Sequence, residues 1–391
     1  MKNGKIIFLE VPPSLGDEIK TLSMENGEKY GSFAIDPSIP LPVELGEDGE
    51  ITDLKNLSEN LTWEMIISGM IQVIAREKKS SGAEPSFEGV QPHWINYYRQ
   101  FVLILKPEIY NEFTGAAIVK TRNRDFGAAI EIIESLEGLF PFSAEVLMNR
   151  AFIHEEEGAE LERKGCEIEA SLENEKAMDT YLKALEIEPK PDIYFNLGFL
   201  FTRQKNFYNA REYFTEYILK SDDPEKKTKA ENIINEIESS GLDDTRYSKS
   251  LELIRQGKEE EALLNIRDFI EEHPGVWYGW YLLGWALRKL RRWNDALGSL
   301  KKALELGGTS ADTRNETAIC LMELGDLHGA KKELEAALRE EPENVKIISN
   351  LGILAMKNGD VNEAAGFFRI ILELNPHDPL ALKFFADSAI V

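Results

Sequence analysis

Residues 277 to 310 read WYGWYLLGWALRKLRRWNDALGSLKKALELGGTS, and windows of this 34-residue length follow one another without insertion from 243, 277, 311 and 345. Such a period marks a stacked array, in which each unit buries its apolar side on its neighbours, rather than one enclosed core. The eighth position of the four windows is small (Ser250, Gly284, Ala318, Gly352), and the twentieth is Ala262, Ala296, Ala330 and Ala364. Small residues at both places let two helices approach closely. The twenty-fourth is apolar throughout (Ile266, Leu300, Leu334, Phe368), and the thirty-second is Pro274, Gly308, Pro342 and Pro376, breakers that end a second helix. Between the helices the fifteenth position is Gly257, Gly325 and Gly359, suited to a left-handed cap, with Arg291 in its place once. Each window therefore reads helix, turn, helix, turn. Trp280, Leu283 and Leu287 give the first helix one apolar stripe, which only a neighbouring hairpin can bury.

The same phrase extends upstream with more departures. A window from Pro191 carries Tyr194, Leu197, Gly198, Ala210 and Phe214; one from Tyr110 carries Ala117, Ala129, Ile133, Leu136 and Pro141. Another, from Ala144 to Lys190, keeps Ala151, Ala177, Tyr181, Ala184 and Pro189. There Ala151 and Ala177 lie 26 apart where the pattern wants 12, so 14 residues are added. Shared between two antiparallel helices, they lengthen each by about two turns. The expected result is a hairpin tip rich in acid (Glu155, Glu156, Glu157, Glu160, Glu162) that stands clear of the array. Residues 225–242 are extra, and Ala230, Ile233, Ile234 and Ile237 predict an inserted amphipathic helix. In all, repeats near 110, 144, 191, 243, 277, 311 and 345 cover 110–378, and 379–391 reads as a capping helix.

This pattern resembles the tetratricopeptide repeat (TPR) family. The resemblance implies a mainly α fold: a right-handed α-solenoid of about seven helical hairpins, binding partners along its concave face. That face is lined by the second, fifth, ninth, twelfth and thirteenth positions of each first helix. They give Phe195, Phe199 and Arg203, then Tyr247, Leu251, Ile254 and Arg255, then Tyr278, Tyr281, Trp285, Arg288 and Lys289. Aromatic side chains beside Arg are typical of binding hot spots, so the expected partner is a protein or peptide segment with apolar anchors and some acidic residues. Two accounts compete for the aromatic cluster, an open groove or packing on the protein's own chain. Two also compete for the cations at the thirteenth position (Arg122, Arg203, Arg255, Lys289, Lys357, with Glu323 the exception): an electropositive stripe, or cations favoured at a helix C-terminus. Family members that clamp the acidic C-terminus of chaperones use Lys and Asn at the fifth and ninth positions and Asn at the sixth of the next repeat. Tyr281, Trp285 and Glu316 stand there instead, so no chaperone-tail clamp is expected.

Residues 1–60 have another texture, with β-type runs at Ile6–Val11 and Ser32–Ile35, prolines at 12, 13, 37, 40 and 42, and a Glu47-Asp48-Gly49 turn. They read as a small, partly β N-terminal cap. Residues 61–109 read as a helical pair, a degenerate repeat, with a mobile link over Ser80 to Gln91.

Composition narrows the function. The chain has 391 residues, with 45 Lys and Arg against 69 Asp and Glu, a net charge of −24 that repels phosphate backbones and anionic lipid. Neither nucleic acid nor membrane is an expected partner. Two distant cysteines, Cys166 and Cys320, and no apolar run long enough for a leader or membrane span predict a cytoplasmic protein. The five histidines share no ligand spacing, and no phosphate-cradling or nucleophile motif occurs, so no metal, no cofactor and no enzyme activity is expected. The leading reading is a non-catalytic interaction scaffold. The alternatives are a ligand-gated regulator taking a small peptide or apolar metabolite in the same groove, an enzyme whose site lies in residues 1–109, and self-association through the groove or capping helix.

Overall fold

The structure, a computed structural model, describes residues 5–10, 36–45, 61–79, 90–242 and 244–388. Strand β1 (Lys5–Leu9) pairs antiparallel with β2 (Leu41–Leu45), Lys5 opposite Leu45 and Leu9 opposite Leu41. The Ser32–Ile35 run, the turn at 47–49 and residues 80–89 of the link lie outside the described residues. The partner of β1 is thus the segment that prolines 40 and 42 make look least like a strand. Pro is tolerated because a two-stranded sheet has only edges. Helix α1 (Trp63–Lys79) lies directly on β2: a Cβ at Gly69 would stand 2.4 Å from the Pro42 carbonyl oxygen. From α2 (Pro92–Leu105), the Tyr98 hydroxyl donates to the Pro40 carbonyl at 2.6 Å. Leu41, Val43, Met70, Ile74, Tyr98 and Phe101 form the buried centre of this N-terminal part.

Seven hairpins follow among the described residues. They are α3 (Ile109–Arg122) with α4 (Phe126–Leu139), α5 (Ala144–Arg163) with α6 (Glu167–Ile187), and α7 (Pro191–Arg203) with α8 (Phe207–Lys220). After the inserted helix α9 (Pro224–Ser239) come α10 (Thr245–Arg255) with α11 (Glu259–Glu272), and α12 (Trp277–Lys289) with α13 (Trp293–Glu305). The last are α14 (Ala311–Glu323) with α15 (Leu327–Glu340), and α16 (Val345–Lys357) with α17 (Val361–Leu374); α18 (Pro379–Ser388) then packs Phe384 on Phe368. The architecture is a mainly α, helical-hairpin solenoid with a small strand pair. It divides into two compact units, residues 1–157 with 179–188 and residues 158–178 with 189–391.

The repeat rule has a direct physical basis. Each eighth-position glycine faces the large residue at position twenty-four: added Cβ atoms at Gly198, Gly284 and Gly352 would fall 2.7, 2.5 and 2.9 Å from Phe214, Leu300 and Phe368. The fifteenth residue is left-handed whether or not it is glycine. Gly257, Gly325 and Gly359 have φ of 75, 89 and 80°, and Arg124, Lys205 and Arg291 have 60, 61 and 60°. The next position is a helix N-cap that the repeat pattern alone did not reveal. Asp125, Asn206, Asp326 and Asp360 each accept a hydrogen bond from the backbone N–H three residues on.

The second hairpin corrects an expectation. Its helices have 20 and 21 residues against the 13 of α7, as the insertion requires, but the tip does not stand clear. The Asn375 amide donates to the Lys164 carbonyl at 3.3 Å, and Lys346 pairs with Glu167 at 2.6 Å, so the tip rests on the last hairpin. Nor are all its acids solvated. Glu155 is buried and accepts from the Tyr181 hydroxyl at 3.0 Å; Glu160 is buried and held by Arg163 and Lys164 at 2.6 and 3.2 Å.

Candidate functional site: the inner wall of the second unit

In the second unit, α10, α12, α14 and α16 touch one another in sequence and form one wall of first helices. On α7, Phe195 and Phe199 meet edge to face at 4.9 Å and pack on Phe214. The inserted helix covers them, with Lys226 and Lys229 over their rings at 5.5 and 4.7 Å. Arg203 is half-buried at the end of the same helix. On α10, Tyr247 and Leu251 are buried, the Tyr247 ring lying between Phe207, Phe269 and Tyr278 at 5.7, 5.9 and 6.3 Å. Its hydroxyl has no hydrogen-bond partner among the described residues, and burial pushes its ionisation far above the usual tyrosine range. Arg255 is exposed, with no carboxylate in salt-bridge range among the described residues.

Helix α12 brings the remaining candidates together. Tyr278 stacks on Trp277 at 3.6 Å, and Tyr281 lies nearly parallel to Trp285 at 6.3 Å. Tyr281 is buried and Trp285 half-buried. Arg288 is paired with Glu316 of α14, and burial still holds the Glu316 carboxyl above the usual carboxylate range. Lys289 donates to the Ile254 carbonyl at 2.7 Å, pairs with Glu259 at 2.8 Å and lies over Trp285 at 5.8 Å. At the thirteenth position, Glu323 is matched by Lys357 of the next repeat at 3.0 Å.

Three participants lie outside the candidates read from α7, α10 and α12. Lys205, in the turn between α7 and α8, lies 5.2 Å over the Tyr281 ring and pairs with Asp312 at 3.0 Å. Asp312 and Glu316 occupy one face of α14, four residues apart. Their signal in the sequence was the second and sixth positions of the window at 311. Elsewhere the structure gathers Asp244, Glu272 and His273 with ligand atoms inside 4.8 Å, a group of metal-ligand type that spacing did not reveal. Arg246 occupies its carboxylates, donating from Nε to Asp244 at 3.0 Å and from Nη1 to Glu272 at 2.9 Å, which leaves an ion-pair cluster. Cys320 is fully buried and its thiol is pushed up to about 12 by burial, the condition of a packing residue rather than a nucleophile.

The family model of the cytochrome c-type biogenesis protein H TPR domain matches residues 252–381. The chain is a tetratricopeptide repeat protein. The match opens on α10 and ends on α18, so α12 and α14 lie inside it. A curated relative of this repeat protein, the cytochrome c-type biogenesis protein CycH of Bradyrhizobium diazoefficiens, is 27% identical over 125 residues, 31% of this chain and 34% of that protein. The match therefore spans about a third of that relative. Among solved structures, a thermophilic TPR protein of Thermus thermophilus is 20% identical, with a TM-score of 0.34 over 52% of this chain and 100% of its own. A tetratricopeptide repeat protein of Parabacteroides merdae is 12% identical, with a TM-score of 0.40 over 71% of this chain and 98% of its own. Among the described residues no helix is long and apolar enough to cross a membrane.

Proposed function

We propose that this TPR protein is a non-catalytic scaffold that holds a peptide or helical segment of a partner on the inner wall of its second unit, between Phe195 and Lys289. TPR proteins bind protein partners and are generally non-enzymatic. The observation that carries the choice of surface is the half-buried Trp285, stacked beside Tyr281, with Lys289 over its own ring and Lys205 over that of Tyr281. An aromatic anchor ringed by cations suits a segment with apolar side chains and carboxylates, and truncating such an anchor commonly costs ~2 kcal/mol or more of binding. Two free cysteines, one fully buried, support a reducing, cytoplasmic setting. The test is capture from native extract by wild type and by a Trp285→Ala, Arg255→Glu variant of equal helicity. A partner lost from the variant places binding on this wall; equal capture removes it.

A second reading, a part in cytochrome c biogenesis, is favoured by the match over 252–381. Deleting the gene and staining for covalently bound haem tests it, with loss of c-type cytochromes expected. Native mass spectrometry of the purified protein separates both from a ligand-gated regulator, which would carry a small molecule.

A further inference from the structure

We propose that Asp312 is the chain's own stand-in for a partner carboxylate: an acidic segment docking beside Trp285 takes Lys205 away from Asp312. This rests on the inner-wall reading above and adds what occupies the wall in the partner's absence.

Lys205 and Asp312 are 107 residues apart and belong to the third and sixth hairpins, so their contact at 3.0 Å joins two hairpins that are not neighbours in the array. The same ammonium lies over Tyr281, which stacks beside Trp285, so it is poised at the aromatic anchor. The side chains of Lys205 and Asp312 are 31% and 55% exposed, against 22% and 12% for Arg288 and Glu316. Water therefore reaches the first pair freely. An exposed pair of this kind contributes little to holding a fold together, and its two halves exchange partners readily. The less exposed Arg288–Glu316 pair stays as the fixed floor.

The sign of the partner follows from the charges left over. On a protein of net charge −24, Arg255 on α10 and Lys229 on α9 have no carboxylate in salt-bridge range among the described residues. Lys229 is instead set over Phe199 at 4.7 Å. Cations thus stand beside aromatic rings here, and the exposed carboxylate joined through Lys205 to the Tyr281 ring is Asp312. A segment alternating acidic and aromatic residues satisfies both features.

The test uses the full chain and two fluorescein-labelled probes, a peptide alternating Glu with Phe and its counterpart alternating Gln with Phe, read by fluorescence anisotropy. Asp312→Asn, freed of its internal carboxylate, is expected to bind the Glu peptide about two- to five-fold more tightly than wild type, the worth of one exposed pair. Lys205→Gly deletes the cation at a backbone position that Gly257, Gly325 and Gly359 show glycine to fill, so the turn survives. In that background Asp312→Asn should add nothing. Acetylation of Lys205, followed by mass spectrometry, should rise in Asp312→Asn and fall when the Glu peptide is added.

Equal affinity of wild type and Asp312→Asn overturns the inference. If Trp285→Ala then abolishes binding, the inner wall remains the binding surface and only its self-occupation is lost. If Trp285→Ala binds as wild type does, both readings fall. Equal binding of the Gln peptide, no binding of either peptide by Asp312→Asn, or Lys205 acetylation indifferent to the peptide also overturns it.

Discussion

Hairpins α16–α17 and α5–α6 are cut to one plan and filled differently. In the first, two helices close over Gly352 and Phe368, an interior of volume against volume. In the second, added turns bring Gly158 onto Asn174, whose amide donates to Glu162 at 3.0 Å, and nearer the base a tyrosine hydroxyl serves a buried Glu155. The periodic hairpins are specified by size, which tolerates no extra methyl but needs no partner. The long hairpin is specified by donors and acceptors, which hold only while each finds its mate. A protein can thus keep a repeat for stability and spend an insertion on a tip of fixed geometry.

The size rule breaks first. Phe368→Ala should lose about 3–5 kcal/mol in urea unfolding followed by circular dichroism, since a ring at 0% exposure leaves a cavity the helices cannot close. Gly284→Ala should lose about 1–3 kcal/mol, because the new Cβ would meet Leu300 at 2.5 Å. A neutral result there would mean that the helix spacing, and not the glycine, is set by other contacts.

The donor rule sharpens the contrast. Tyr181→Phe removes one hydrogen bond to the buried Glu155, at a cost of about 1–3 kcal/mol. Adding Glu155→Leu should return most of it, because replacing both partners of a buried polar pair is close to neutral. If the double variant remains as unstable as the single one, the hydrogen bond was not what the site lost. At the left-handed turns the expected effects are smaller. Arg291→Gly should gain about 0.5–1 kcal/mol, and Gly325→Ala, at φ 89°, should lose about as much or slightly more.

The sequence made one part of this plain and hid another for definite reasons. Positions eight and twenty-four were legible because they touch within one hairpin and recur. Lys205, Arg124 and Arg291 were not legible as left-handed, because the cost for an L-residue is about 1–2 kcal/mol, small enough for the surrounding turn to impose. Strand β2 was hidden by its own prolines. The contacts of Lys205 with Asp312 and of Lys164 with Asn375 span 107 and 211 residues, and no local period encodes which distant hairpins meet. At the candidate site the residue types on α12 were readable. The burial of Tyr247 and Tyr281 was not, since an inner position is surface or core according to the helix laid beside it.

The smallest effect is electrostatic and lies where Arg246 ties two helices of the fourth hairpin. Asp244 caps α10, accepting from the Arg246 N–H at 2.7 Å, and the guanidinium also reaches Glu272 of α11. The hydrogen bonds from Arg246 hold the Asp244 carboxyl below its ordinary 3.8, with His273 at 3.8 Å lowering it further. A carboxyl depressed in the folded state binds protons more tightly when the chain unfolds. Its contribution is therefore complete above the unfolded value and is lost as pH falls through the folded one. Asp244→Asn keeps the cap and removes the charge. The stability gap between wild type and this variant should be flat from pH 7 to 5 and close below about pH 4. A gap that already closes above pH 5, or that persists unchanged to pH 2, would show that the Asp244 carboxyl does not govern the corner.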